Sequence, residues 1–179
     1  MLEKINSQEL ELIIDLRYFG TNNICQQKLY DQDYAMLHPQ AYEKLKIASK
    51  IARSQNLKLK IWDAYRPVKI QQFFVDFFAN DLAKKNFFSD PATGSIPHCR
   101  GIAVDLTLVD NNNQELDMAS DFDELSQLAH HNCLTISKQA QHNRLLLLGI
   151  MTASGFDFYQ KEWWHYQLFN PRDYQIIKL

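Results

Sequence analysis

His98 and Asp105 are seven residues apart, and their types and spacing are the first in this chain to suggest chemistry. Asp105 sits inside residues 102–109 (IAVDLTLV), a β-rich apolar run. A lone carboxylate there is costly unless it is paired, hydrogen-bonded or bound to a metal. Gly101 lies between the two and permits a tight turn, so His98 can fold back beside the strand and meet the carboxylate. Such a pair supplies two ligands for a cation such as Zn²⁺, or else a purely structural His–Asp hydrogen bond.

A second group, Glu162-Trp163-Trp164-His165, places an acid three residues before a histidine. With His165 as third ligand the set becomes two nitrogens and one oxygen, which leaves a fourth position for water as in catalytic zinc sites. Water in that position has its pKa lowered to about 7, and Glu162 is the base within reach of its proton. Residues three apart on a regular strand face opposite ways, so Glu162 and His165 share a site only if a bulge or turn separates them. Taken alone, the tetrapeptide also reads as an aromatic core strand with an incidental histidine. The third piece is Asp63-Ala64-Tyr65-Arg66-Pro67, a strand end running into a helix start. Arg66 can donate paired hydrogen bonds to a carboxylate or to an oxyanion developing in hydrolysis, or it can pair with a surface acid.

In order and together, the stretch from Ser95 to Asp105 (SIPHCRGIAVD), the Glu162-Trp-Trp-His165 group and Tyr65-Arg66-Pro67 resemble the zinc D-alanyl-D-alanine dipeptidases of the VanX type. The likeness continues through Asp15-Leu16-Arg17-Tyr18, residues 67–71, residues 118–123 and Asn143-Arg144-Leu145-Leu146. It implies one Zn²⁺ per chain held by His98, Asp105 and His165, with Glu162 as general base and Arg66 stabilising the tetrahedral intermediate. It also implies substrate binding by Asp123, through the free amino group, and by Tyr18. The implied reaction is hydrolysis of the D-alanyl-D-alanine dipeptide. Related zinc enzymes, D,D-carboxypeptidases and L-Ala-D-Glu endopeptidases, cut peptidoglycan stem peptides with the same groups, and Hedgehog-like signalling domains share the zinc fold as binding modules. Two departures bear on substrate preference: Ile96 stands where the family usually has Ser, and Met118-Ala119-Ser120 replaces a Met-Gly-Thr-like stretch.

The elements that must position these residues are readable from periodicity. Residues 11–18 (ELIIDLRY) are expected to form a first strand. Residues 39–55 carry Leu45, Ala48, Ile51 and Ala52 at helical spacing, and residues 57–61 alternate apolar and basic as a half-buried strand. Pro67 opens a second helix whose Phe73, Phe74, Phe77, Phe78 and Leu82 form a wide apolar face expected in the core. Residues 86–97 read as loop, 138–154 as a third helix capped by Gly155, and 162–168 as an aromatic strand. Helices grouped between few strands, without βαβ alternation, predict an α+β fold with a small, mainly antiparallel sheet flanked by helices. The resemblance adds that this fold is Hedgehog/D,D-peptidase-like.

Composition bounds the rest. The 179 residues, 46% hydrophobic and 22% charged, suit one domain spanning 1–179 with its own core. A net charge of −2 and a pI near 6.3 argue against a nucleic-acid partner. A small dipeptide is the expected partner, and self-association is left open. No window approaches the ~20 apolar residues that span a bilayer, so no membrane role is expected. The N-terminus shows no apolar core of signal-peptide length. Cys25, Cys99 and Cys133 are odd in number and far apart, which excludes a full disulfide set and paired zinc-knuckle spacing. The cytoplasm is the default compartment, with the periplasm open. Seven acids and no Lys or Arg lie between Asp105 and Glu124; apart from Asp105 and Asp123 these are expected to be solvated surface. His130-His131 is expected to be a solvated pair, and Cys99 a half-buried spectator thiol.

Overall fold

A computed structural model describes residues 1–82, 84–85 and 87–179. Short β1 (Glu3–Lys4) pairs antiparallel with β3 (Met36–Leu37) in a two-stranded sheet. The main sheet has five strands in the order β2 (Ile13–Ile14), β4 (Lys58–Asp63), β5 (Ala103–Val109), β7 (His165–Gln167), β6 (Asp157–Phe158). Among the described residues, four helices complete the α+β arrangement: α1 (Ser7–Leu10), α2 (Pro39–Ser54), α3 (Val68–Phe77) and α4 (Lys138–Ala153). Among the described residues, no helix is long and apolar enough to cross a membrane.

The sheet is mixed rather than simply antiparallel. β4–β5, β5–β7 and β7–β6 are antiparallel, while β2 runs parallel to β4 with Ile13 opposite Lys60 and Ile14 opposite Ile61. The expected first strand over 11–18 is therefore cut to two residues. After Asp15 donates its N–H to the Ile61 carbonyl, the chain leaves the edge and turns through a 3-10 segment, Arg17–Phe19. That turn carries Tyr18 inward, where it is fully buried.

Central β5 is buried at all seven positions, so it is covered on both faces. α2 packs against β4 and α4 against β5 and β6, and Leu45, Ala48, Ala52 and Leu147 are fully buried in the same core as Leu59, Ile61, Leu106 and Leu108. The N-termini of both helices are capped by side chains. His38 accepts from the Gln40 N–H at 3.3 Å and Ser137 from the Ala140 N–H at 3.0 Å. Gly155, at φ 91°, follows α4 as expected. The α3 face is narrower than its sequence suggests. Phe74 and Phe78 are buried, Phe73 is half-buried, and Phe77 and Leu82 are exposed. A ten-residue helix packed along one side cannot bury phenylalanines on both flanks of its stripe.

Candidate functional site

The β5–β7 pair places Asp105 and His165 directly opposite each other, so their side chains stand together on one face of the sheet. His165 Nδ1 lies 2.9 Å from Asp105 Oδ1. His98 arrives on a 3-10 turn, Pro97–Arg100, that ends at Gly101 with φ 67°. A Cβ at Gly101 would come within 2.4 Å of the Leu2 side chain and 3.2 Å of the His38 backbone nitrogen, so the tight return needs glycine there. Ile96 enters the same turn at φ 39°, a costly conformation for a β-branched side chain and one that clusters at functional sites.

His98 Nε2 lies 3.2 Å from Asp105 Oδ2 and 3.2 Å from His165 Nδ1. Each imidazole is fixed from behind. The Ala64 carbonyl accepts from His98 Nδ1 at 2.7 Å, and Gln167 Oε1 accepts from His165 Nε2 at 3.0 Å. Each ring therefore turns its other nitrogen toward Asp105, with the outer hydrogen bonds that metal-bound histidines need. Tetrahedral ligands on Zn–N bonds of about 2.0–2.1 Å sit about 3.3 Å apart, close to the separations here. The three buried groups could hold a metal ion. Burial disfavours charge on Asp105, yet the adjoining histidines hold its carboxyl well below the usual range. Burial likewise opposes charge on His165, but hydrogen bonding to Asp105 and its negative charge push the imidazole up to about 9.

Glu162 is brought to His165 by a turn and not by the strand foreseen over 162–168. β7 starts only at His165, whose N–H closes the turn on the Glu162 carbonyl at 3.2 Å. Glu162 Oε2 consequently sits 3.9 Å from His165 Nδ1 on the same side. Burial pushes this carboxyl up to about 7, with His165 opposing and Asp105 adding to the rise.

Arg66 is held by Asp63, a residue given no role from sequence. Asp63, fully buried, accepts from Arg66 Nε at 2.9 Å and Nη2 at 2.7 Å, and from the Tyr30 hydroxyl. Gln71 Oε1 takes Arg66 Nη1 at 3.0 Å, and Nη2 also reaches Asp105 Oδ2 at 3.5 Å. The register of β4 against β5 shifts between Ile61 and Asp63, so Asp63 pairs with Asp105 instead of following Leu59 and Ile61 to the other face. The signal for Asp63 was present in sequence: like Asp105, it is a carboxylate closing an apolar strand. Gln71 and Gln167 carried no such signal.

Asp123 adopts φ 62° and is held by the Tyr18 hydroxyl, which donates to its two oxygens at 2.9 and 3.1 Å. Burial pushes its carboxyl up to about 7, against the hydrogen bond from Tyr18. A folded-state pKa above the unfolded value of about 3.9 means the folded chain binds the extra proton between those limits. Stability from this group is fully present below pH 4 and is lost as pH rises toward 7. Asp123→Asn is accordingly expected to raise the thermal midpoint at pH 8 and to leave it near wild type at pH 4. Equal midpoints at both values would contradict the assignment.

All seven residues singled out from sequence (Tyr18, Arg66, His98, Asp105, Asp123, Glu162 and His165) line one cleft with room for about 160 Å³. Phe87, Phe88, Ile96, Tyr159 and Trp164 supply its apolar walls. Two other conspicuous groups are absent from that lining. The His131 ring packs at 5.0 Å from Phe158, and burial pushes it down to about 4, so it is not the solvated histidine expected. Cys99 is wholly buried, its thiol pushed up to about 11 by that burial.

The family model described as Peptidase_M15, D-ala-D-ala dipeptidase, matches residues 7–176. The D-alanyl-D-alanine dipeptidase of Escherichia coli K12 is 36% identical over 167 residues, which is 93% of this chain and 84% of that protein. The Enterococcus faecium enzyme of the same name is 35% identical over 140 residues, covering 70% of this chain and 69% of its own. A Synechocystis dipeptidase is 32% identical over 145 residues, 61% of this chain and 58% of its own.

Proposed function

This chain belongs to the Peptidase_M15 family of D-Ala-D-Ala dipeptidases, and from that premise we propose that it is a zinc peptidase hydrolysing the free D-alanyl-D-alanine dipeptide to D-alanine. His98, Asp105 and His165 would hold the zinc, a donor set that suits a borderline cation with one open position. When bound, the metal supplies Lewis-acid polarisation of the scissile carbonyl and lowers the pKa of water.

The chain's own residues do the rest. Asp123, oriented by Tyr18, takes the substrate ammonium, which restores to the buried carboxylate the positive partner that burial calls for. Arg66 has five N–H donors, of which the bonds to Asp63, Gln71 and Asp105 engage four. The remaining Nη1 donor has no partner among the described residues and is placed to serve the developing oxyanion. Glu162, with a carboxyl near neutrality, takes the proton from the attacking water and returns it to the leaving amine. The aromatic and aliphatic walls exclude bulk water around these charges.

One observation favours the dipeptide over a peptidoglycan stem peptide. The carboxylate at the end of the cleft is buried and has no cation within hydrogen-bonding reach among the described residues. A free dipeptide brings an ammonium to it, whereas a stem peptide carries an acylated nitrogen at that position. The test is paired turnover of D-Ala-D-Ala and N-acetyl-D-Ala-D-Ala by zinc-loaded enzyme. The dipeptide is expected to be cleaved and the acetylated compound to be spared; comparable turnover of both would move the assignment to a wall hydrolase. Asp123→Asn is expected to raise KM for the dipeptide about 10- to 100-fold with a smaller change in kcat, the loss of one charge-assisted contact. An unchanged KM would remove Asp123 from substrate binding. The single-domain organisation, the fold shared with zinc D,D-carboxypeptidases and Hedgehog domains, and a cytoplasmic location belong to the same proposal. They are supported by one buried cluster that takes in residues of β4, β5 and β7, and by the family likeness.

A further inference from the structure

Helix α3 buries Ile70, Gln71 and Phe74 on its inner face, and Gln71 is only 4% exposed there. A primary amide in such a place must find partners for both its ends or cost free energy. Both are found. Oε1 accepts from Arg66 Nη1 at 3.0 Å, and Nε2 donates to the backbone carbonyl of Ser89 at 2.9 Å. A guanidinium only donates and a carbonyl only accepts, so one orientation of the amide satisfies both. The two partners belong to different parts of the cleft. Arg66 stands among the catalytic groups, while Ser89 follows Phe87 and Phe88, which wall the cleft. Phe88 is stacked at 4.5 Å on Phe74, about one turn along α3 from Gln71.

The bond to Oε1 also decides where Arg66 points. Asp63 grips the guanidinium along its Nε–Nη2 edge, and Gln71 takes one of the two Nη1 hydrogens. Because the group is planar and rigid, the other Nη1 hydrogen then has a fixed direction. We propose that Gln71 is a positioning residue for the reaction: one amide ties the aromatic wall at Ser89 to the orientation of Arg66. The inference rests on the reading of Arg66 as oxyanion donor, and Gln71 acts through that side chain rather than on the substrate.

Two variants of the zinc-loaded enzyme separate the ends. Gln71→Met keeps the volume and removes both hydrogen bonds; Gln71→Glu still accepts from Arg66 but as a carboxylate cannot donate to Ser89. With D-Ala-D-Ala, kcat is expected to fall about tenfold in Gln71→Met and only about threefold in Gln71→Glu. In the Arg66→Ala/Asp63→Asn background, Gln71→Met is expected to add no further loss, since the side chain it orients is gone. Chymotrypsin cleavage after Phe87 or Phe88, mapped by mass spectrometry, reads the wall without substrate and is expected to quicken in both variants. An unchanged kcat in Gln71→Met, equal losses in the two variants, an additive loss in the Arg66→Ala/Asp63→Asn background or unchanged cleavage would each overturn the proposal. A wild-type enzyme inactive on the dipeptide fails differently: it overturns the dipeptidase reading and the Arg66 half of this proposal, while cleavage still tests the tie to Ser89.

Discussion

Glu162→Gln is expected to retain one zinc per chain and to lose about 10²- to 10⁴-fold in kcat for D-Ala-D-Ala. The side chain sits 3.9 Å from His165 Nδ1, beside the His98–Asp105–His165 group rather than within it. The amide keeps the shape and the burial but cannot accept the proton. Because the lost interaction exists only in the transition state, kcat and kcat/KM should fall together while KM moves little. Zinc content after gel filtration and released D-alanine are the two readouts. Full activity would exclude Glu162 as the base, and loss of the metal would make it a ligand.

The second large effect is on Arg66, and it has two separable parts. Truncation to Ala removes the proposed oxyanion donor, with an expected loss of about 10²- to 10³-fold in rate, as in comparable sites. It also strands Asp63, which is fully buried and takes two of its hydrogen bonds from this guanidinium. Removing one partner of a buried ion pair costs about 3–5 kcal/mol. The double variant Arg66→Ala/Asp63→Asn separates the parts, because the amide no longer needs a counter-charge. Stability in urea is expected to recover substantially in the double variant while the rate stays low. Recovery of the rate as well would reduce Arg66 to a structural residue.

Which residues meet in the cleft was more legible in sequence than the geometry that assembles them. Asp105 and His98 stand out in sequence because a carboxylate in an apolar strand needs a partner and a glycine lets one return; β5 and the Gly101 turn do this. Helix α2 followed from its apolar spacing and α4 from the Gly155 that ends it, and both face one core. The edge of the sheet did not follow. An apolar run over 11–18 says nothing of direction or of how much edge β4 offers, and only Ile13 and Ile14 find partners there.

The β4 register shift was equally invisible to a period-two reading, and with it the position of Asp63 beside Arg66. Glu162 shows the converse. Its spacing from His165 argued against a shared face on a regular strand, and a turn resolves the conflict. Asp123 was separable from the neighbouring acids only by likeness, because its burial under Tyr18 depends on contact between residues 105 positions apart.

Zinc titration of the metal-stripped protein, followed by release of D-alanine from D-Ala-D-Ala, tests the central claim most directly. Activity should be negligible without metal, rise linearly to one equivalent of zinc per chain and level off there, with L-Ala-L-Ala left uncleaved. A protein that binds one zinc yet leaves D-Ala-D-Ala intact at high enzyme concentration would contradict it.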